Sequence, residues 1–372
     1  MQFGAVLALP VSVLATIFTK HLCTALTEGD TDRVRGMLRD AMLAVLALLI
    51  LSLGIAAALM PMLCRWLHIA PGLAGYLAVG YGLVAAVLPL LHAALQSLRA
   101  FGALGLAAAL AAPARLCMML ILLPMLGLSG YFLGQMSPLA VHGAIAALVL
   151  LPRLRGGKAA ARWGELAKPM LRYALRIGIG LTAGALMGMS ASFTIRHALP
   201  AESSAAYYLF TRFADIAAYC GATIASVLFP YAVEAGLRGA PAIQLRNRLL
   251  LAMTAGGCLL AAALWIGLPI LFRQIPGYAP YAPTAHWAAY LTITVTLNTA
   301  VGLHCAEANA RDDLRYLRYT LPAMLGAIAI FTLAPIHTLE TVLHILFAAA
   351  LVQAAGVLCD LRRDAHTTRR AQ

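Results

Sequence analysis

The sequence predicts an all-α membrane protein that crosses the bilayer many times and folds as two related helix bundles. Of its 372 residues, 62% are hydrophobic and 11% are charged, whereas roughly a quarter of the residues in soluble domains are charged. Long apolar segments follow one another along the chain, and its two halves share an order of polar and proline positions. Only lipid can solvate so much apolar surface, which excludes a soluble or secreted globular domain.

Eleven segments are long and apolar enough to cross a membrane, since a spanning helix needs about 20 predominantly apolar residues. In chain order they cover residues 4–22, 38–63, 73–95, 104–126, 130–151, 171–195, 205–233, 249–272, 285–305, 317–333 and 339–358. No basic residue precedes Lys20, so the first segment lacks the charged start of a signal peptide and is predicted to be a membrane helix.

The clearest polar interruption lies between residues 152 and 169, which are rich in Arg and Lys and include the pair Gly156 and Gly157. It divides the spans into five and six. We therefore predict an N-terminal bundle at residues 1–152, a basic cytoplasmic linker at residues 153–169 and a C-terminal bundle at residues 170–372.

The net charge of +13 could indicate a nucleic-acid partner, but the basic residues follow the membrane topology instead. Of the 27 Lys and Arg residues, 22 fall on one side of the predicted spans, Arg246 and Arg311 among them, and Arg65, Arg196 and Arg273 on the other. The positive-inside rule places the larger group and the C-terminus in the cytoplasm, so no nucleic-acid partner is needed. Eleven spans then put the N-terminus outside, and we expect one preceding span to be missing from this chain.

An internal repeat relates the two halves. Leu9-Pro10 and Phe229-Pro230 are each followed by a polar turn and a long apolar span. About 210 residues separate the members of four further pairs, which are His92 and His304, Gln96 and Glu307, Arg99 and Arg311, and Pro113 and Pro322. The shared order predicts a duplicated bundle, and two such bundles around a central cleft are the general plan of a transporter.

Several stretches of the sequence carry a resemblance to a known family. The first group consists of Leu95-Gln96-Ser97-Leu98-Arg99-Ala100-Phe101-Gly102-Ala103-Leu104, Pro113-Ala114-Arg115-Leu116 and the turn Gly127-Leu128-Ser129-Gly130. These three stretches resemble the fourth to sixth helices of that family, the polysaccharide flippases of the Wzx type, which handle O-antigen. Ala205-Ala206-Tyr207-Tyr208 and Val227-Leu228-Phe229-Pro230 look like its eighth helix, and Gly277-Tyr278-Ala279-Pro280-Tyr281-Ala282 looks like its ninth-to-tenth connection.

The resemblance implies a MATE-like fold, because the family belongs to the multidrug/oligosaccharidyl-lipid/polysaccharide exporter superfamily. Members usually carry twelve or more spans, so the match starts at the family's second helix. It also implies a function: moving an undecaprenyl-diphosphate-linked oligosaccharide across the bacterial inner membrane, beside other polysaccharide-assembly membrane proteins. An acidic residue often seen late in the family's seventh helix is absent here, where Ser190, Ser192 and Thr194 stand, so the coupling gradient is not implied.

One helical face of the seventh predicted span combines charge with hydroxyl groups. Tyr208, Arg212, Asp215, Tyr219 and Thr223 recur at spacings of 4, 3, 4 and 4, which places them on one side of a helix. Facing a cleft, this side would offer a cation and hydroxyl donors to a phosphate or to sugars. The other interpretation is an ion pair at i, i+3 that merely holds neighbouring helices together.

Arg115 is the second predicted intramembrane cation, and its own helix contains no acidic residue. It meets either an anionic substrate or the carbonyls that Pro113 frees. The acids Glu28, Asp30, Asp32 and Asp40 all lie in or beside the first cytoplasmic turn, so the spans of the N-terminal half contain no carboxylate beyond Asp40 at the start of the second span. This charge distribution favours an anionic substrate held by Arg115 and Arg212.

His92 and His304 are candidates for a proton-coupling site, although polar packing at helix ends also explains them. The seven cysteines form no CxxC pair and are predicted to be free thiols, so we expect neither a metal nor a cofactor. No nucleophile motif or phosphate-binding glycine loop is present in the sequence, which favours a transporter over an enzyme. Two alternatives remain: a cation-coupled multidrug exporter of the same superfamily, and a membrane-embedded glycan polymerase or transferase.

Overall fold

The structure is a computed structural model, and it describes residues 2–66, 73–154, 163–238 and 243–371. Within these ranges the chain forms eleven α-helices and one short 3-10 helix, and no strand. The first five α-helices are α1 Gln2–Glu28, α2 Thr31–Trp66, α3 Leu73–Ser97, α4 Phe101–Leu126 and α5 Leu128–Leu154. The remaining six are α6 Trp163–Ala198, α7 Ala201–Leu237, α8 Ile243–Gln274, α9 His286–Ala310, α10 Leu317–Leu333 and α11 Leu339–Ala371, with the 3-10 helix at Ala279–Thr284.

Each of these α-helices coincides with one of the eleven predicted spans, so the predicted all-α polytopic fold is confirmed. Among the described residues, six of the eleven helices contain a segment long and apolar enough to cross a membrane: Phe101–Leu126, Leu128–Arg153, Ile177–Ala198, Ala201–Leu237, Ile243–Gln274 and Leu339–Arg363. The helices extend beyond the apolar segments because the polar residues at both ends continue the α-helical backbone hydrogen bonds. α7, for example, has 37 residues, more than the roughly 20 that a bilayer requires.

The chain forms two compact units, Met1–Leu181 and Thr182–Gln372. The first contains α1 to α5 and the beginning of α6, and the second contains the rest of α6 and α7 to α11. Of the predicted linker, residues 155–162 lie outside the described residues, and residues 163–169 form the start of α6.

The two units repeat one packing pattern. In the first unit, α3 is the central helix and packs on α1, α2 and α5, while α4 packs on α5. In the second unit, α9 packs in the same way on α7, α8 and α11, while α10 packs on α11. The same correspondence between α3 and α9 follows from the sequence pair His92 and His304, which lie on these two helices.

The ends of the two central helices have the same unusual geometry. Two residues after α3, Arg99 adopts a φ of 54°, and two residues after α9, Asp312 adopts a φ of 59°. In both places the next residue donates its N–H to the carbonyl five residues earlier, Ala100 to Leu95 and Asp313 to Ala308, each at 2.9 Å. These are Schellman-type ends, in which a left-handed residue satisfies free carbonyls of the last turn.

Packing around α9 depends on glycines in the neighbouring helices. A Cβ added at Gly221 of α7 would overlap the side chain of Thr299, and one added at Gly257 of α8 would overlap that of Thr296. Thr296 itself donates its hydroxyl to the Thr292 carbonyl at 2.7 Å, so its polar group is satisfied within α9. Close backbone approach at small residues is how helices attract each other where burial against lipid gives no hydrophobic gain.

Candidate functional site

A polar strip runs along the side of α7 that the second unit leaves uncovered. One side of α7 is buried, at Ala206, Phe210, Ala214, Ala217 and Gly221, where it packs on α9. On another side lie the five residues that the sequence pattern selects. We call them the α7 stripe: Tyr208, Arg212, Asp215, Tyr219 and Thr223.

The centre of the α7 stripe is an ion pair. Nη1 of Arg212 lies 3.1 Å from Oδ2 of Asp215, one helical turn further along α7. Their side chains are 59% and 36% exposed, and Tyr219 is 69% exposed. A guanidinium has five N–H donors, so the pair with Asp215 leaves Arg212 with donors for a further anion. The ion pair that the sequence pattern allowed therefore forms, and it uses only part of the donor capacity of Arg212.

Arg115 lies on α4 with its side chain exposed. Within the first unit α4 packs mainly on α5, where Gly134 lies so close to Met119 that a Cβ could not be accommodated without a shift. Arg115 belongs to the first unit and the α7 stripe to the second. That the two arginines bind one substrate together stays a prediction.

The first predicted histidine, His92 of α3, faces a second histidine that the sequence argument did not single out. The ring centroids of His92 and His142 of α5 are 4.9 Å apart. Nδ1 of His142 lies 2.7 Å from the Pro138 carbonyl oxygen. Two imidazoles in contact are separated by 50 residues of sequence, so no local pattern could have revealed the pair.

The second predicted histidine, His304 of α9, lies beside a carboxylate of another helix. Nε2 of His304 is 3.6 Å from Oδ2 of Asp360 on α11. The Tyr319 hydroxyl of α10 donates to the same oxygen at 3.1 Å. Asp360 follows the end of the last predicted span by two residues, so the sequence argument treated its surroundings as a cytoplasmic tail. No local sequence pattern marks Asp360, because its partners His304 and Tyr319 lie on other helices.

A buried ionic cluster lies next to this histidine. Nη1 of Arg246, in the first turns of α8, is 3.2 Å from Oε2 of Glu307, and both side chains are fully buried. Nη2 of Arg311 reaches the same oxygen at 2.7 Å. The sequence had placed Arg246 and Arg311 among the cytoplasmic charges, as if both were solvated. Arg246 is buried because Glu307, 61 residues away, neutralises it inside the unit.

The loop between α9 and α10 completes the cluster. Nε of Arg315 donates to Oδ2 of Asp313 at 2.9 Å, and this hydrogen bond lowers the pKa of the Asp313 carboxyl. A small pocket opens here, and its lining includes His304, Asp360, Arg311 and Asp313.

No protein-family model matches this sequence, and no curated protein matches it. Solved structures do: a MATE transporter in the straight conformation has a TM-score of 0.70 at 12% identity, covering 99% of this chain and 86% of that chain. The Vibrio cholerae MATE transporter VcmN in the bent form has a TM-score of 0.66 at 14% identity, covering 98% of this chain and 87% of that chain. A MOP superfamily transporter from Pyrococcus furiosus, described as having a binding pocket of reverse polarity that suggests a different function, has a TM-score of 0.66 at 12% identity, covering 97% of this chain and 85% of that chain.

These likenesses confirm the MATE-like architecture that the sequence predicted. The chain has the fold of MATE transporters, and at these identities the comparison concerns the fold alone.

Proposed function

We propose that this protein is a flippase that moves a lipid-linked oligosaccharide, carried on undecaprenyl diphosphate, from the cytoplasmic to the periplasmic leaflet of the bacterial inner membrane. The mechanism is alternating access, in which the binding site opens to one side of the membrane at a time. The observation that carries the proposal is the exposed Arg212 in the α7 stripe, on a helix apolar enough to span the membrane. The MATE fold supports an exporter in general.

The α7 stripe is too polar to be tolerated against lipid. A charged side chain at the centre of a membrane helix costs about 2.5–3.5 kcal/mol on insertion scales, so such residues face protein or a water-filled cavity. In the second unit, α9 covers the opposite side of α7 and leaves Arg212, Tyr208 and Tyr219 uncovered. These side chains are therefore suited to line a substrate pathway.

The chemistry of the α7 stripe fits a diphosphate joined to a glycan. A guanidinium binds phosphate oxygens in a bidentate manner and remains charged at every physiological pH. The phenols of Tyr208 and Tyr219 and the hydroxyl of Thr223 can exchange hydrogen bonds with sugar hydroxyls. Arg115, exposed on α4, supplies a second positive charge for a substrate that carries two phosphates.

The carboxylates of the described helices argue against a cation exporter. The residues of α3, α4 and α5 include no Asp or Glu. In the second unit, Asp215 pairs with Arg212, Glu307 with Arg246 and Arg311, and Asp360 with His304. A cation or a cationic drug would have to displace these partners. The reverse polarity described for the Pyrococcus furiosus transporter supports the view that this fold accepts pockets of different charge.

The test is glycan export in a bacterial strain that lacks its own flippase. We expect the wild-type chain to restore surface polysaccharide, and Arg212→Ala and Arg115→Ala each to reduce it by at least tenfold at equal membrane abundance. Arg238→Ala is the control, because Arg238 is an exposed arginine directly after the end of α7 that pairs with Glu234 outside the α7 stripe. Full export by both arginine variants would refute the assignment.

The rival multidrug function is tested in parallel with the same strains. A drug exporter would lower the accumulation of cationic dyes and leave surface polysaccharide unrestored. A polymerase or transferase would instead release or transfer sugar when the purified protein is incubated with its lipid-linked substrate. The flippase predicts movement of the intact lipid-linked glycan between leaflets of a vesicle.

A further inference from the structure

The contact between His304 and Asp360 joins two helices of the second unit at a protected position. His304 is 4% exposed and Asp360 is 17% exposed, and 3.6 Å separate Nε2 of the imidazole from Oδ2 of the carboxylate. At this distance a proton on the imidazole creates an ion pair, whereas a neutral imidazole leaves a partly buried carboxylate without that charge. Histidine is the side chain whose ordinary titration falls between pH 5 and 8.

The carboxylate is held in place from a third helix. The hydroxyl of Tyr319 on α10 donates to Oδ2 of Asp360. Gly356, one turn before Asp360 on α11, lies directly against the Tyr319 ring, and a Cβ there would overlap it. The glycine therefore lets the phenol reach across α11. Asp360 is positioned by packing as well as by the hydrogen bond, so its geometry relative to His304 is defined.

Several other charged residues near the pair form ion pairs of their own. On α9, Glu307 binds Arg246 of α8 and Arg311 of its own helix. In the loop before α10, Arg315 pairs with Asp313.

Arg246, Arg311 and Arg315 thus have carboxylate partners other than Asp360 within 4 Å, namely Glu307 and Asp313. Asp360 is the carboxylate that takes a histidine as its cationic partner within 4 Å. A change in the protonation of His304 is therefore a change in the net charge of the whole cluster.

The size of the pocket beside His304 and Asp360 limits which molecules can reach the two side chains. Its lining includes His304, Asp360, Arg311 and Tyr316, and its interior has room for about one water molecule. An organic ligand or a phosphate does not fit such a space. Water and the proton that it carries do fit.

We propose that His304 and Asp360 form a proton-binding site, and that a proton taken up through the adjoining pocket strengthens the attachment of α11 to α9. In the step, water in the pocket delivers a proton to the imidazole, and the resulting imidazolium pairs with the Asp360 carboxylate. Loss of the proton reverses both changes. The site lies on α9 and α11, does not include the α7 stripe, and binds its proton whatever cargo the protein carries.

The experiment measures the titration of His304 by NMR in the purified full-length protein in detergent micelles. The His304 signal is the imidazole resonance that disappears in His304→Gln. We expect its midpoint to lie between about 6.5 and 8, above that of a histidine in the unfolded chain, and to fall by roughly 1–3 pH units in Asp360→Asn, since the nearby carboxylate favours the charged imidazole. His344→Gln, which changes an exposed histidine of α11, should leave the His304 midpoint unchanged.

The attachment of α11 is measured by the melting temperature of the same samples at pH 6 and pH 8. The ion pair is complete at low pH and is lost as the pH rises through the His304 midpoint, so the wild type should melt at a higher temperature at pH 6. This difference should shrink in both Asp360→Asn and His304→Gln and persist in His344→Gln. A His304 signal that does not titrate in this range, a midpoint indifferent to Asp360→Asn, or an undiminished melting difference in both variants would each overturn the proposal. None of these readouts requires the lipid-linked glycan, so a failure of the proposed function would be seen separately.

Discussion

Arg246 of α8 and Glu307 of α9 form an ion pair whose two side chains are both fully buried, with Nη1 and Oε2 3.2 Å apart. Taking two charges out of water is costly, and the geometry repays the cost only when hydrogen bonds satisfy both partners. Here Arg311 adds a second charged donor to Glu307, and Nε of Arg246 donates to the Asn247 side chain. The pair fixes how the first turns of α8 lie against the end of α9.

Removing one member of this pair is expected to destabilise the protein strongly. Glu307→Gln leaves Arg246 charged and buried, which typically costs about 3–5 kcal/mol. The measurement is the fraction of folded, monodisperse protein in detergent after stepwise heating. Glu28→Gln serves as the control, because Glu28 is 51% exposed, its partner Arg33 is 31% exposed, and such exposed pairs contribute about 0–1 kcal/mol. Equal losses in the two variants would contradict the structural role of the buried pair.

The glycine pair in α8 offers a test of helix packing with a built-in control. A Cβ at Gly257 would overlap the Thr296 side chain, whereas one at the adjacent Gly256 would meet nothing within 4 Å. Gly257→Ala should therefore cost about 1–3 kcal/mol through overpacking, and Gly256→Ala should be neutral or slightly stabilising. Adding Thr296→Ala to Gly257→Ala should restore most of the lost stability. Thermal unfolding in detergent would measure all four proteins, and an absence of rescue would refute the contact.

The left-handed residues after α3 and α9 predict parallel effects in the two units. At both Arg99 and Asp312 we expect glycine to be more stable than valine by about 1–2 kcal/mol, since a β-branched residue is strained at positive φ. Both substitutions remove the native side chain, so the difference between them isolates the contribution of backbone conformation to the free energy of unfolding. Unfolding midpoints of the four variants would decide the matter, and a valine tolerated at either site would argue against the shared helix end.

The helices and their repeat could be predicted from the sequence because hydropathy acts over a single segment. The predicted span at residues 317–333 has the bounds of α10, and the pairing of His92 with His304 identified α3 and α9 as equivalent helices. What stayed hidden were contacts between segments distant in the chain. Arg246 was predicted to be one more cytoplasmic charge because its partner Glu307 is 61 residues away. The contacts of Asp360 could not be predicted because its partners Tyr319 and His304 lie on other helices.

The role of the α7 stripe can be tested by replacing Asp215 while keeping Arg212. If Arg212 binds a diphosphate, Asp215 competes with the substrate for the guanidinium, because both are anions and Nη1 of Arg212 is 3.1 Å from Oδ2 of Asp215. Asp215→Asn keeps the size of the side chain and removes the competing charge. We therefore expect it to bind a lipid diphosphate several-fold more tightly than the wild type, at unchanged stability. If the pair serves only to hold helices together, the same variant should lose stability and gain no affinity. Isothermal titration calorimetry in detergent would measure the binding of a short-chain polyprenyl diphosphate to the wild type, to Asp215→Asn and to Arg212→Ala. If Arg212 binds the diphosphate, Arg212→Ala should weaken binding. If the ion pair only holds helices together, Arg212→Ala should leave binding unaffected.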